Sequence, residues 1–186
     1  GWYSYAQPMA DPDAPYYRLG YIPDDHALPG TAYGQMACSY TLEQAYNDHC
    51  AATMAKVLGT KADYETYKQR SRNWQNLWNP DARYGEFTGF ICPRKADGTW
   101  VEIDPGQHWG SWVKHFYEAT AYNYSFFVPH DVPTLIEKCG GEDAFIRRLV
   151  HGIETGLVDY GNEPAFLASY LFAYTTRPWL ITDSID

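Results

Sequence analysis

Basic residues are scarce in this sequence. Fourteen Lys and Arg stand against 23 Asp and Glu, for a formal net charge of −9 and a pI near 5.0. Such a surface repels phosphate backbones and anionic lipid, so neither nucleic acid nor a membrane surface is expected as a partner. Long apolar runs are missing too; none approaches the roughly 18 residues that mark a spanning helix. The first residues, Gly1, Trp2, Tyr3, Ser4 and Tyr5, lack the basic start and apolar stretch of a signal peptide, which fits a mature, an excised or a cytosolic chain. Cys38, Cys50, Cys92 and Cys139 include no C-x-x-C pair and have no paired-histidine companion, which argues against structural zinc and leaves free thiols and one disulfide both open. No G-x-S-x-G, P-loop, H-E-x-x-H or dinucleotide fingerprint occurs, so the commonest hydrolase, nucleotide and zinc-protease chemistries have no support.

Aromatic residues, by contrast, are abundant. Seventeen Tyr, seven Trp and eight Phe make up 17% of the chain. Tyr and Trp suit faces where an apolar ring meets a polar, hydroxyl-rich partner, of which carbohydrate is one kind. With 186 residues and 45% hydrophobic content, the chain is sized for one domain with a real core.

Patterning predicts a mainly α protein. Proline and glycine punctuate the first 40 residues, which read as a long ordered loop, a mild sign of a binding mouth or of a missing N-terminal part. Leu42, Tyr46, Cys50, Met54 and Val57 then recur at helical offsets, with Thr41 and Gln44 as a capping box and Gly59 as the stop. A second helix is predicted from Thr60, with Tyr64, Tyr67, Ser71, Trp74 and Trp78 on one face until Asn79 and Pro80 end it. Residues 87–92 and 99–103 could pair as a hairpin around Lys95 to Gly98. Further helices are predicted over 111–127, from Asp131 through Cys139, and from Glu142 to Thr155 with Phe145, Leu149 and Ile153 inward. A last one has Asn162 as N-cap, Pro164 in its first turn, and Phe166, Tyr170 and Tyr174 on one face. The hairpins differ in length and pattern, so an α/α toroid with aromatic-rich loops fits better than a tetratricopeptide-like solenoid.

Glu118 is the most informative carboxylate, the only acid in the aromatic run 112–127. Apolar neighbours disfavour a charged carboxyl and suit it to donate a proton; a surface glutamate on an amphipathic helix is the plainer reading. Glu163 begins a helix, where the macrodipole favours negative charge. His130 with Asp131 reads as a cap, and Asp24, Asp25 and His26 offer oxygen ligands without EF-hand spacing.

Four ordered blocks resemble one family. Thr41, Leu42, Glu43, Gln44, Ala45, Tyr46, Asn47 and Asp48, with Ala55, Lys56, Leu58 and Gly59 downstream, are similar to the T-L-E-Y-A-Y-x-D and A-K-x-L-G segments of glycoside hydrolase family 92, the calcium-dependent exo-α-mannosidases. Arg70, Ser71, Asn73, Trp74, Asn76, Leu77 and Trp78 match R-S-x-N-Y-x-N-L-F/W. Residues 118–131 match E-x-x-x-W-x-Y-x-x-F-V-P-x-D, and Gly161, Asn162, Glu163 and Pro164 match G-N-E-P. Ala119, Thr120, Asn123 and the run 163–168 resemble fungal members more than bacterial ones.

The resemblance implies part of an (α/α)6 toroid packed on an N-terminal β-sandwich. It also implies inverting removal of terminal, α-1,2-linked mannose by a secreted enzyme acting on mannose-containing glycans such as N-glycans. Glu118 maps onto the general acid. Asn162, Glu163 and Asn123 map onto the subsite for the terminal mannose, and Asn162 and Glu163 would face its Ca2+, which binds and distorts the sugar. The family's water-activating carboxylate comes from a G-N-D-D motif that 1–186 does not contain. The chain therefore reads as a single internal segment of the catalytic toroid, with the β-sandwich, the C-terminal part of the toroid and the base outside it. On that reading it is inactive without the remaining segments of the same enzyme. A non-catalytic helical module binding glycan or protein is the alternative.

Overall fold

A computed structural model describes residues 14–26, 36–107 and 114–183. Helix dominates the described residues, as the patterning predicts, with one two-stranded sheet. Helix α1 (Pro15–Leu19) leads to α2 (Ala37–Leu58), which turns through Gly59 in the left-handed region into α3 (Lys61–Arg70). The α2 and α3 pair forms the expected helical hairpin, but α2 begins four residues before Thr41. Its early start has a tertiary cause: Met36 and Cys38 donate their backbone N–H groups to the carbonyls of Lys114 and His115 at 3.1 and 3.2 Å. These bonds satisfy helix-end donors that a local capping box would otherwise serve. Thr41 lies inside the helix, donating to Ala37 O and accepting from Ile22 N, both at 2.9 Å.

The inward face of α2 also differs from the apolar stripe. Leu42 is buried, whereas Met54 and Val57 are 65% and 83% exposed, and Ala45, Asp48, Ala52 and Ala55 face inward instead. Small side chains let the helix lie close to its neighbours, and α3 buries none of its residues. The predicted second helix stops at Arg70. Trp74 sits in a 3-10 turn (Asn73–Leu77), and Trp78 opens strand β1 (Trp78–Tyr84), with Asn79 and Pro80 inside the strand. A two-stranded sheet has only edges, where proline's missing donor is tolerated, and the register shifts between Asn79 and Arg83. The partner of β1 is β2 (Phe87–Ile91), antiparallel to it. Residues 99–103 therefore do not complete a hairpin with 87–92; the turn at Lys95 to Gly98 closes a single bridge, Arg94 to Trp100.

Of the helix predicted over 111–127, residues 111–113 lie outside the described set and only α4 (Ala121–Tyr124) is helical. Glu118 has φ +51°, and Thr120 is extended with its Oγ1 accepting from Asn123 N, so the helix cannot begin earlier. Helices α5 (Val132–Lys138) and α6 (Glu142–Glu154) follow as predicted, with Phe145 and Leu149 fully buried and Ile153 half-buried. After Asn162 the chain winds as two 3-10 turns, Glu163–Ala165 and Ser169–Tyr174, before α7 (Leu180–Asp183). Three residues per turn aligns Ala165, Ala168 and Leu171, which are buried, and leaves Phe166, Tyr170 and Tyr174 more than half exposed. They are not the inner face that a 3.6-residue period predicts. All four cysteines are free thiols.

The core gathers β1, β2, α4, α5 and α6 around buried aromatics. At its centre Arg148 is 1% exposed and sets its guanidinium 3.8 Å from the Phe90 ring centroid, with Trp78, Tyr122 and Phe126 around it. This cation in an aromatic box ties α6 to β2 and to the start of the site.

Candidate active site

Glu118 stands on an irregular span between two anchors. On its N-terminal side, residues 114–117 lie against the first turn of α2. Besides the two carbonyl bonds to Met36 and Cys38, Tyr117 N donates to Ser39 Oγ at 2.8 Å, and Tyr124 OH donates to Tyr117 O at 3.0 Å. On its C-terminal side, Asn162 Nδ2 donates to Glu118 O at 2.5 Å. The left-handed backbone between these anchors costs a non-glycine residue about 1–2 kcal/mol. Strain of this kind persists only where neighbours over-determine it, and it concentrates at functional sites.

Asn162 itself is prepared by a tight turn. Asp159 Oδ1 accepts from Gly161 N at 2.8 Å, and Asp159 O accepts from Asn162 N at 3.1 Å. A Cβ on Gly161 would meet Asp159 Oδ1 at 2.9 Å, so glycine keeps the turn closed. Asn162 then caps the following 3-10 turn through Oδ1 to Glu163 N at 3.2 Å, as its predicted N-cap role requires. Both ends of its carboxamide are thus engaged.

Between these elements lies a cleft of about 250 Å³, lined among others by Glu118, Thr120, Asn123, Asp159 and Asn162. Three of the four site residues read from sequence, Glu118, Asn123 and Asn162, meet there. Glu163 is exposed and does not line the cleft. Asn123 is 5% exposed, yet neither its Oδ1 nor its Nδ2 has a partner. Two unserved polar atoms at such burial are expensive, and they lie on a residue that lines the cleft. Sequence reasoning missed Thr120, Asp159, Ser39 and Tyr124. Only Thr120 left a local signal, a hydroxyl three residues before the helical Asn123; Ser39 and Tyr124 act across the fold.

Other candidates turn to structural work. Asp24 Oδ1 lies 2.5 Å from His115 Nδ1 with both side chains mostly buried, and Asp25 accepts from Ala96 N. Asp131 starts α5 without a side-chain cap; its carboxylate accepts from Trp74 Nε1 at 3.2 Å instead. Among the described residues no three His, Cys, Asp or Glu side chains come together as a metal cluster, and no helix is long and apolar enough to cross a membrane.

Comparison with known proteins places the chain in a family. Residues 5–186 match the glycosyl hydrolase family 92 catalytic domain. An uncharacterized secreted glycosidase of the fungus Arthroderma benhamiae is 38% identical over 177 residues, covering 87% of this chain and 23% of that protein. A family 92 inverting mannosidase of Bacteroides thetaiotaomicron superposes with a TM-score of 0.72 at 28% identity, over 89% of this chain and 24% of that one. A family 92 α-mannosidase of the same bacterium, whose structure is also known with mannoimidazole, gives 0.76 at 29% identity, over 93% of this chain and 22% of that one. The chain thus spans about a quarter of the length of the relatives it matches.

Proposed function

The chain belongs to glycosyl hydrolase family 92, and from that premise we propose that it contributes the general acid to an inverting, calcium-dependent α-mannosidase built on an (α/α)6 toroid. Glu118 donates a proton to the leaving oxygen. Asn123 and Asn162 hold the terminal mannose through its hydroxyls, and Glu163, outside the cleft's lining, is assigned beside them by its family block alone. The observation that supports this best is the bond from Asn162 Nδ2 to Glu118 O, which draws two family blocks together across 44 residues beside an unserved, buried Asn123. An inverting displacement also needs a carboxylate about 6.5–9.5 Å from the acid to activate water, and that role is assigned to a residue outside 1–186.

The donors present fit calcium in kind. Carboxamide and carboxylate oxygens are hard ligands of the sort it prefers, and Asn162 and Glu163 offer one of each. Asn162 Oδ1 already accepts one bond and keeps a second lone pair. Calcium takes about 6–8 oxygens, so Asn162 and Glu163 would supply a minority and sugar hydroxyls, water or other carbonyls the rest. An ion held there would supply Lewis-acid polarisation of the sugar oxygens and would favour a distorted ring.

The substrates proposed are α-1,2-linked mannosides of N-glycans outside the cell. The test is release of mannose from α-1,2-mannobiose by the full-length protein, with and without a calcium chelator, while NMR records the first anomer formed. Calcium-dependent appearance of β-mannose supports the proposal. Retained binding of mannan without any release would instead favour a non-catalytic glycan-binding module.

A further inference from the structure

We propose that Ser39 and Tyr124 are positioning residues that aim the Glu118 carboxyl by fixing the peptide planes before it. The inference rests on Glu118 being the acid. A residue's φ and ψ are set by the two peptide planes that meet at its Cα. The plane after Glu118 is held by Asn162 Nδ2 on Glu118 O. The plane before it contains Tyr117 O, which accepts from Tyr124 OH at 3.0 Å. One plane earlier, Tyr117 N donates to Ser39 Oγ at 2.8 Å. Both hydroxyls therefore grip one residue, Tyr117.

The grip is built on buried, rigid parts. Ser39 is 2% exposed in the first turn of α2, and Tyr124 is 3% exposed, its ring stacked 5.5 Å from that of Phe116, which is fully buried. Burial pushes the Tyr124 phenol well above its ordinary range, so it stays a proton-bearing donor throughout the working pH range. Released from these bonds, the backbone at φ +51° has every reason to relax toward negative φ, which would re-aim the side chain.

A structural role and a positioning role separate by leaving group. Protonation matters for a sugar leaving group and hardly at all for 2,4-dinitrophenolate. The full-length protein with Tyr124→Phe, Ser39→Ala or Glu118→Gln is assayed on α-1,2-mannobiose and on 2,4-dinitrophenyl α-mannoside. Glu118→Gln sets the reference, a loss of about 10²–10⁴ on the disaccharide and far less on the aryl mannoside. Tyr124→Phe and Ser39→Ala are expected to lose roughly tenfold or more in kcat on the disaccharide, with KM and the aryl rate little changed. Ser39→Thr, which keeps the hydroxyl, should restore the disaccharide rate. Tyr122→Phe removes an equally buried hydroxyl from the same helix, one that donates to Arg148 O at 2.7 Å, and should show no leaving-group bias. Equal losses on both substrates, or the same bias in Tyr122→Phe, would overturn the proposal while Glu118→Gln still marked the acid. Absence of bias in Glu118→Gln would overturn the acid itself and the proposal with it. Should Tyr124→Phe fail to fold, Ser39→Ala gives the same reading from the opposite helix.

Discussion

The carboxamide of Asn162 performs two tasks at once, donating to Glu118 O at 2.5 Å and accepting from Glu163 N at 3.2 Å. Asn162→Asp separates them. Aspartate keeps the oxygen that caps the 3-10 turn and loses the N–H that holds Glu118, setting a carboxylate against a carbonyl. We expect a thermal midpoint close to the parent's and a disaccharide rate at least about tenfold lower. A normal rate would show that the bond to Glu118 O is not needed for activity.

Strain at Glu118 is testable without any substrate. Elsewhere, glycine in place of alanine costs stability because the unfolded chain has more freedom to lose. At φ +51° the order should invert, because glycine adopts the left-handed region without the roughly 1–2 kcal/mol penalty of a Cβ. Glu118→Gly is therefore expected to melt above Glu118→Ala in the full-length protein. The reverse order by calorimetry would place the backbone of Glu118 elsewhere.

Much of this arrangement was legible in the sequence, and the misses share a cause. Asn162 as a cap, Gly59 as a stop, and α5 and α6 all follow from local signals that the fold leaves in charge. The start of α2 was misplaced because bonds to Lys114 and His115 replace the local cap. A helix over 111–127 was expected because its aromatics invite a helical period; the left-handed Glu118 that interrupts it is imposed by Ser39, Tyr124 and Asn162 from far along the chain. Glu118, Asn123 and Asn162 could be named as candidates from blocks of sequence. Their meeting in one cleft could not be read from residue order alone.

Packing gives an independent test. Trp74 is fully buried, meets the Trp78 ring edge-on at 6.2 Å, and donates from Nε1 to Asp131 at 3.2 Å. Trp74→Ala should destabilise by about 3–5 kcal/mol, the usual cost of deleting a large buried ring. Trp74→Phe keeps most of the volume but leaves the Asp131 carboxylate without its donor, so a smaller loss is expected from denaturant unfolding. Equal losses for the two would mean that the hydrogen bond, not the volume, governs the site.

The last expectation concerns pH. His130 sits between α2 and α5, its Nε2 2.8 Å from Ser71 O and its ring 5.4 Å from that of His49 and 5.9 Å from that of Tyr46. That contact assigns the proton to Nε2 and leaves Nδ1 buried without a partner. Burial lowers the His130 pKa below its ordinary 6.5, and a charged His49 would lower it further; the Ser71 carbonyl and Asp131 act the other way without prevailing. The unfolded chain therefore binds a proton that the folded chain resists. Stability from this group is complete above the unfolded value and falls as pH drops from about 6.5 through the lower folded value, after which the loss is constant. The informative quantity is a difference between proteins. His130→Gln retains an N–H for Ser71 and cannot take up the proton. The thermal midpoint of the parent should thus fall more steeply than that of His130→Gln between pH 7.5 and about 5. Parallel curves for the two proteins would show that His130 takes up its proton as readily folded as unfolded.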